Sequence, residues 1–344
     1  MHSKIKDMSF FSNNLAIDLG TANVLVFAEG HGIVYNEPCV VAVGQDSNGR
    51  RKVLAVGSDA KDMLGRTPDK IKAIRPLKNG VIADFDTAEA MLKHVIRRSS
   101  KNINLFKPRI VICVPHAVTE VETRAVKEAA ESAGAREVFL VEQPVAAAIG
   151  AGLPITAPCG NLIIDIGGGT TEIAVISMKG IVYSESIRIG GDAMDEAISN
   201  YVRRHCNILI GEQTAEQIKI KIGSALDTGE GEELEIRGRD VVEGVPKTVT
   251  ISSDQVREAV SEPVNQIITA IQLALEKTPP ELCADIYDQG ITMTGGGALL
   301  RNLDRLISQK TNLPVAVAPE PLTTVVSGAG EVLDQLDLVR ELTI

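Results

Sequence analysis

The feature that most constrains this chain is an aspartate placed between an apolar strand and a polar, glycine-containing turn, and it occurs twice. One copy, from Leu162 to Ser177, reads LIIDIGGGTTEIAVIS and carries Asp165 before its turn. The other, LAIDLGTANVLVF, carries Asp18 at the same offset. Alternating branched residues are typical of strands, and glycines let backbone N–H groups approach a ligand. The sequence therefore predicts two related hairpins.

The chemistry of these turns indicates a nucleotide. Exposed N–H groups and threonine hydroxyls suit a phosphate, and an aspartate beside a polyphosphate is repelled unless a divalent cation takes oxygen ligands from both. Asp18 and Asp165 therefore imply Mg²⁺. For either copy alone, a glycine-rich hairpin with a turn aspartate is the structural alternative. The duplication favours two half-domains that close on one nucleotide from opposite sides.

The composition indicates a globular chain of two domains. It has 344 residues, of which 44% are hydrophobic, so it can bury a large core. The net charge of −10 argues against general nucleic-acid binding. The five cysteines form no CxxC pair, which predicts reduced thiols in a cytosolic protein. Apolar runs stay below about 18 residues and a signal-peptide core is missing, so we expect neither a membrane span nor secretion.

Two segments are candidates for contact with a membrane surface. Residues 1–14, if helical, place Ile5 and Met8 on one face, and a disordered tail is the alternative. Residues 93–109 contain six basic residues and no acidic one, with Leu105 and Phe106 on an expected turn. The alternative for this tract is a solvated helix face and a loop whose two apolar side chains fold back on the core.

Periodicity and capping signals predict the other elements. We expect strands at 40–43, 53–56, 110–114 and 139–141, and helices at 87–98, 119–134, 141–152, 193–204, 254–276 and 323–333. Thr119 and Glu122 form a capping box. Small residues in the helices at 141–152 and 323–333 predict that these two cross closely. Residues 230–253 alternate between charged and apolar side chains, which predicts an antiparallel pair of strands.

Two further expectations concern where helices begin in the second half of the chain. Thr214 is predicted to cap the helix that carries Ile218 and Ile222. The motif TGGGALLRNLDRL predicts a strand, a glycine turn and a helix whose N-terminus faces the nucleotide. That helix is expected to place four leucines on one side, namely Leu299, Leu300, Leu303 and Leu306.

The motifs, in this order, resemble those of a known superfamily. DLGT, EQP-AAA, DIGGGTT, TGGGALL and VVSGAG are similar to the five nucleotide-site motifs of the actin, sugar kinase and Hsp70 superfamily. NEPCVVAV, MLGRTP, AIRPLKNGVIADF, GAREVFLVEQPVAAAIGAGLP and RIGGDAMDEAI closely resemble the MreB family of bacterial actins over essentially the whole chain. The chain is identified as a member of that family.

The resemblance implies an α/β, actin-like ATPase fold with two related domains, each with a small inserted subdomain, and ATP with Mg²⁺ in the interdomain cleft. Domain I would comprise 15–150 and 320–344, with its insert at about 35–79. Domain II would comprise 151–319, with its insert at about 193–258. Residues 1–14 would be a membrane-associating or disordered segment.

The resemblance also implies roles for individual residues. Asp18 and Asp165 would act on Mg²⁺ through water, and Gln143 and Thr171 would place the attacking water. The remaining nucleotide contacts would be Thr21, Ala22, Asn23, Gly168, Gly169, Thr170, Glu216, Gln217, Ile218, Lys219, Gly296, Gly297, Ala298 and Leu299. Gln143 departs from the usual glutamate of the family, which stands here one residue earlier, as Glu142. Because phosphoryl transfer depends mostly on positioning and charge stabilisation, we expect slow hydrolysis to be retained.

The implied function is that of a polymerising ATPase. Its filaments would lie on the anionic inner face of the cytoplasmic membrane, would guide cell-wall synthesis and maintain rod shape, and would bind the cell-wall elongation machinery. A sugar kinase would need a substrate pocket and a catalytic aspartate, and an Hsp70-type chaperone would need a β-rich peptide-binding domain. A nucleotide-dependent binding module that does not polymerise is the better alternative. Membrane contact would come from Leu105, Phe106, Ile5 and Met8.

Overall fold

Two compact units make up the chain. The computed structural model describes residues 14–45, 50–99, 107–116, 118–227, 229, 231–335 and 342. Unit 1 comprises Met1–Pro158, Met178–Ile181 and Leu322–Ile344, and unit 2 comprises Cys159–Ser177 and Val182–Pro321.

Unit 1 is built on the first predicted hairpin. Strand β1 (Leu15–Leu19) pairs antiparallel with β2 (Asn23–Ala28), so that hairpin is confirmed. The other strands are β3 (Gly32–Pro38), β4 (Val41–Gln45), β5 (Arg51–Val56), β6 (Ile71–Ile74), β7 (Leu77–Lys78), β8 (Val81–Ile82), β9 (Arg109–Val114) and β10 (Glu137–Glu142). The main sheet has the order β10-β9-β1-β2-β3, with smaller sheets β5-β4-β6 and β7-β8.

Helices pack against the main sheet and the smaller sheets of unit 1. They are α1 (Ser58–Asp62), α2 (Phe85–Ser99), α3 (Glu120–Ala133) and α4 (Gln143–Gly150). The helix predicted at 87–98 is confirmed as α2, and its Met91, Leu92, Val95 and Ile96 are all fully buried. The capping box of Thr119 and Glu122 is also confirmed, and α3 ends at Gly134 in the left-handed conformation.

Unit 2 repeats this plan with the second hairpin. Strand β11 (Asn161–Ile166) pairs antiparallel with β12 (Thr171–Ser177). The remaining strands are β13 (Gly180–Ile187), β14 (Ile208–Leu209), β15 (Glu233–Asp240), β16 (Pro246–Ser252), β17 (Ile291–Thr294) and β18 (Val315–Val317). The helices are α5 (Gly191–Cys206), α6 (Glu212–Ile222), α7 (Ser253–Lys277), α8 (Pro280–Gln289) and α9 (Leu303–Thr311), with a 3₁₀ turn at Gly296–Leu299. The chain returns to unit 1 as α10 (Thr324–Asp334).

The predicted duplication is present in the sheet topology. The main sheet of unit 2 has the order β13-β12-β11-β17-β18. In each unit the aspartate strand pairs antiparallel with the next strand of its hairpin and parallel with a later strand, which are β9 for β1 and β17 for β11. Both sheets therefore place their aspartate at the carboxyl end of a central strand.

Helices α4 and α10 cross closely, as the small residues predicted. A Cβ atom added at Gly150 would lie 2.0 Å from the Thr324 carbonyl oxygen, and one added at Gly328 would lie 1.9 Å from the Ala146 carbonyl oxygen. Real Cβ atoms do not approach backbone oxygens so closely. Each helix therefore needs a glycine where its backbone touches the other.

Two predicted helix starts are wrong. Helix α6 begins at Glu212 after Gly211, and the Thr214 N–H donates to the Gly211 carbonyl, so Thr214 is the third helical residue and not the cap. After the TGGG motif the chain forms the 3₁₀ turn, leaves helical geometry at Leu300 and Asn302, and only then begins α9.

The left-handed conformation of Asn302, with φ of 60°, separates the 3₁₀ turn from α9. The four leucines consequently do not share one face. Leu300 and Leu303 are buried, whereas Leu299 is 55% exposed.

We predict that Gly328→Ala destabilises the protein by at least about 2 kcal/mol, because the added methyl group must push α10 away from α4. Gly211→Ala is the matched control, since no atom lies within 4 Å of its added Cβ. That variant should change stability by less than about 1 kcal/mol. Urea denaturation followed by circular dichroism measures both, and equal midpoints for the two variants would contradict the packing argument.

Candidate functional site

The site residues of unit 1 gather where β1 ends. Asp18 lies in register with Leu25 of β2 and Cys113 of β9. Its residue surface is partly exposed, yet the surrounding protein displaces most of the water from the carboxylate. This desolvation raises the pKa of Asp18 to about 6, and the hydrogen bond donated by the Gln143 amide, with 3.3 Å between Nε2 and Oδ1, opposes the rise. The structure thus brings together Asp18 and Gln143.

The turn after Asp18 is held by the rest of unit 1. The Thr21 hydroxyl accepts a hydrogen bond from the Gly80 N–H at 3.0 Å, and the Ala22 carbonyl accepts one from the Cys39 N–H at 2.8 Å. The Asn23 amide donates to the Asn36 side-chain oxygen at 3.5 Å. These contacts leave the predicted phosphate-binding turn little freedom.

Glu142 makes a contact that the sequence did not predict. Its carboxylate lies 2.7 Å from Nδ1 of His116. Glu142 is also the residue before α4, and Gln143 is the first residue of that helix. His116 therefore holds the residue that precedes Gln143.

The glycine loop of unit 2, residues 167–170, follows shortly after Asp165. Asp165 is 8% exposed. The Gly167 N–H donates to the Thr170 carbonyl at 2.8 Å and closes the turn. The carbonyls of Gly167 and Gly168 accept hydrogen bonds from the Gly191 and Asp192 N–H groups at 3.0 and 2.8 Å. The carbonyls of the loop are therefore directed at the start of α5.

Three N–H groups of this loop have no backbone acceptor. In the described part of the chain, the backbone N–H groups of Gly168, Gly169 and Thr170 donate no hydrogen bond to another backbone group. Successive free N–H groups in a tight turn form a concave anion-binding surface. The loop is thus built to bind an oxyanion.

The sequence predicted a helix at 193–204 without a contact to the nucleotide, and the structure adds the start of α5 to the site. A Cβ atom added at Gly190 would lie 2.6 Å from both the Gly167 and Gly168 carbonyl oxygens. Such contacts allow only glycine. The Gly-Gly-Asp sequence at the end of a strand was the available signal.

Lys219 connects α6 to this same corner. Its Nζ lies 2.9 Å from the Gly191 carbonyl oxygen and 2.9 Å from Oδ1 of Asp195. Burial raises the pKa of Asp195 to about 6, while Lys219 lowers it. Lys219 therefore joins α6 to the start of α5, through a hydrogen bond and an ion pair that the sequence did not predict.

The neighbours of Lys219 differ in position. Glu216 is half-buried and Gln217 is exposed, whereas Ile218 is fully buried in the core of unit 2. Of these three residues, Glu216 and Gln217 present side chains at the surface of α6, and Ile218 does not.

The TGGG motif packs directly on the Asp165 strand. A Cβ atom at Gly295, where φ is 82°, would lie 2.4 Å from Oδ1 of Asp165, and one at Gly297 would lie 2.2 Å from Cγ2 of Ile166. Gly296 and Leu299 are exposed, and Ala298 is buried. The structure therefore brings together Asp165, the glycine loop and this turn within unit 2.

The two threonines of the loop have different surroundings. Thr171 is fully buried, and its hydroxyl donates to the Ile189 carbonyl at 2.7 Å. Within the described residues, the Thr170 hydroxyl has no hydrogen-bond partner in the protein. The geometry thus makes Thr170 the residue with the free hydroxyl and Thr171 a tie to the chain before α5.

The residues present fit a magnesium ion bound together with phosphate. Across the described ranges, no cluster of three or more His, Cys, Asp or Glu side chains could enclose a metal ion alone. Mg²⁺ in nucleotide sites is held by one or two carboxylates, water and phosphate oxygens, so a full protein cage is not required. Asp18 meets this need, because a cation beside a desolvated carboxylate stabilises its charge.

The four predicted membrane residues, Leu105, Phe106, Ile5 and Met8, lie outside the described residues. Among the helices that are described, none is both long and apolar enough to cross a bilayer.

Comparisons with known proteins agree with this architecture. Residues 12–341 match the model of the MreB/Mbl protein family. The cell shape-determining protein MreB of Escherichia coli (strain K12) is 56% identical over 335 residues, which cover 97% of this chain and 96% of that protein.

Solved structures show the same fold. MreB5 of Spiroplasma citri bound to ADP is 40% identical, with a TM-score of 0.88, and the match covers 95% of this chain and 97% of that one. The same protein bound to AMPPNP gives a TM-score of 0.89 at 41% identity, with the same coverage. The MamK double helical filament shares the fold at 22% identity, with a TM-score of 0.79 and coverage of 94% and 99%. Because nearly the whole of this actin-like chain matches the family model, the chain belongs to the MreB/Mbl family.

Proposed function

We propose that this protein binds ATP with Mg²⁺, hydrolyses it slowly, and assembles into filaments that determine cell shape at the cytoplasmic membrane. The observation that carries the proposal is the glycine loop of unit 2, with free N–H groups beside Asp165. Unit 1 repeats the arrangement with Asp18. The ADP and AMPPNP bound to MreB5 support a nucleotide as the ligand.

The residues of the two hairpins divide the work of nucleotide binding. The N–H groups of Gly168, Gly169 and Thr170 bind phosphate oxygens, and the braced Thr21 to Asn23 turn supplies further contacts. When bound, Mg²⁺ neutralises phosphate charge and links it, through water, to Asp18 and Asp165. Glu216, Gln217 and Lys219 of α6, with the Gly296–Leu299 turn, are the elements for ribose and base.

The hydrolytic step falls to Gln143. A glutamine cannot accept a proton as a carboxylate does, but its amide can orient a water molecule for attack. The contact from Gln143 to Asp18 keeps that amide at the end of β1. Thr170 or Thr171 completes the orientation, and only Thr170 does so without giving up a hydrogen bond to the protein.

We predict that Asp165→Ala and Asp18→Ala each weaken Mg-ATP binding at least about tenfold, because each removes a carboxylate that stabilises the cation. Isothermal titration calorimetry measures the affinity. Asp285→Ala is the control, since its carboxylate accepts a hydrogen bond from Gly160 N–H and stands outside the site. Unchanged affinity in both site variants would remove the paired aspartates from the mechanism.

Hydrolysis should separate from binding at Gln143. Gln143→Ala is expected to lower single-turnover hydrolysis about tenfold or more while Mg-ATP affinity stays nearly constant, because the amide orients water and does not contact phosphate. The assay is best run at pH 8, where Asp18 is ionised with or without its amide partner. Thr170→Ala and Thr171→Ala compare the two hydroxyls. Turnover that is indifferent to Gln143→Ala excludes the residue from catalysis.

The proposed self-association is head-to-tail. Surfaces that differ at the two ends of a subunit give a heterologous contact, and a repeat that does not close gives open strands. We predict that ATP increases the fraction of protein that sediments and that electron microscopy shows filaments. Monomers alone, across salt and lipid conditions, would favour the non-polymerising binding module.

Filaments are proposed to bind anionic lipid through Leu105 and Phe106, with the basic residues of 93–109 and the N-terminal Ile5 and Met8. Each buried apolar side chain contributes roughly 1.5–3 kcal/mol, and each basic residue about 1 kcal/mol. One subunit would bind weakly, and a filament would bind by avidity. We also propose that the cell-wall elongation machinery binds these filaments, in line with the shape-determining relatives.

The lipid contact is tested by flotation with anionic liposomes. Leu105→Ser/Phe106→Ser combined with deletion of residues 1–10 should leave filaments intact and abolish flotation. If this variant floats as well as the parent protein, another surface binds the lipid.

A further inference from the structure

A polar cavity of about 680 Å³ lies in unit 2, outside the residues assigned to the nucleotide. Four chain segments form its wall, namely the end of α6 with the loop after it, Glu232, the start of α7 and the start of α9. Its volume falls in the range of small-molecule sites.

One wall of the cavity is rigid. The Arg301 guanidinium donates to the Glu232 carboxylate and to the Lys221 carbonyl, so its charge is compensated and its position fixed. The Asn302 amide donates to the Ser224 hydroxyl at 3.1 Å. Arg301 and Asn302 therefore shape the cavity without supplying a free charge.

Arg305 supplies that charge. It lines the cavity, its side chain is at the surface, and in the described part of the chain it makes no ion pair or hydrogen bond. A guanidinium presents several donors in a planar fork that matches an oxyanion. In a chain with a net charge of −10, an uncompensated arginine at a cavity wall attracts anions locally.

Two other lining side chains offer acceptors. Asp227 lines the cavity with a side chain that is 69% exposed, and Arg257 lies 3.7 Å from it and offsets part of its charge. The Asn302 side-chain oxygen is a second acceptor, since its amide nitrogen is already used. Carboxylate and amide oxygens accept hydrogen bonds from hydroxyl groups.

We propose that this cavity binds a small anionic polyol, with its phosphate or carboxylate on Arg305 and its hydroxyl groups on Asp227 and Asn302. The ligand is hydrophilic, because the cavity is lined mainly by polar side chains. Its binding is independent of the nucleotide, since none of the lining residues belongs to the nucleotide-binding set.

The test uses three probes that share a six-carbon polyol skeleton, glucose 6-phosphate, gluconate and glucose. Each is titrated into the full-length protein saturated with Mg-ADP, and calorimetry follows the binding. Saturable binding of glucose 6-phosphate or gluconate is expected, and the stronger of the two identifies the anionic group. Glucose should bind at least tenfold more weakly. Inorganic phosphate is titrated as a fourth probe. If it binds as tightly as glucose 6-phosphate, the hydroxyl groups contribute nothing and their assignment to Asp227 and Asn302 is overturned.

Arg305→Gln should weaken the anionic probe about tenfold or more, because it removes the charge-assisted contact and keeps the side-chain length. Arg237→Gln is the matched control on the same unit, where the side chain is 84% exposed and pairs only loosely with Glu235 at 3.7 Å. Omitting Mg-ADP should leave the affinity for the anionic probe unchanged, which separates this site from the nucleotide site. The proposal is overturned if no anionic probe binds saturably to the parent protein, or if Arg305→Gln and Arg237→Gln bind it equally.

Discussion

The structure depends on a carboxylate held at the end of a buried strand next to a glycine turn. In water an aspartate is ionised at neutral pH at no cost, whereas Asp18 is desolvated enough to raise its pKa to about 6. Asp165 is also buried, and Gly295 packs against one of its oxygens. Such positions disfavour a lone negative charge and favour one that meets a cation. The proposed Mg-nucleotide is a ligand that would supply such a cation to Asp18 and to Asp165.

Glycine makes the close contacts that hold this arrangement. Gly190 lets the start of α5 contact two carbonyls of the glycine loop, and Gly295 lets the TGGG turn contact Asp165. The Gly167 and Gly168 carbonyls accept hydrogen bonds from the start of α5, whereas the N–H groups of Gly168, Gly169 and Thr170 have no backbone acceptor. Lys219 joins α6 to α5 through Asp195 and the Gly191 carbonyl. The same principle holds α4 against α10 in unit 1 through Gly150 and Gly328.

Local patterns were sufficient to predict much of the fold. Alternating branched residues with a glycine turn predicted both hairpins, and the Thr119 and Glu122 spacing predicted the start of α3. The wrong helix starts arose where backbone geometry overrode side-chain preference. Thr214 is a favoured cap, yet the chain turns at Gly211, and Asn302 breaks a run of leucines that reads as one helix.

The parts of the site that sequence reasoning missed are contacts between distant segments. The Lys219 to Asp195 ion pair and the His116 to Glu142 contact join residues 24 and 26 positions apart, and no local pattern encodes either pairing. The different surroundings of Thr170 and Thr171 likewise follow from Ile189, which the motif does not include.

The central claim is that Asp18 gains its charge partner when Mg-nucleotide binds, and proton release tests it most directly. Near pH 6 about half of the free protein carries a protonated Asp18, so Mg-ADP binding should release a fraction of a proton that vanishes at pH 8. Calorimetry in two buffers of different ionisation enthalpy measures this release. Asp18→Asn should abolish that fraction, while Asp195→Asn, which removes another carboxyl with a pKa of about 6, should retain it. Equal proton release from the parent protein and Asp18→Asn would contradict the account.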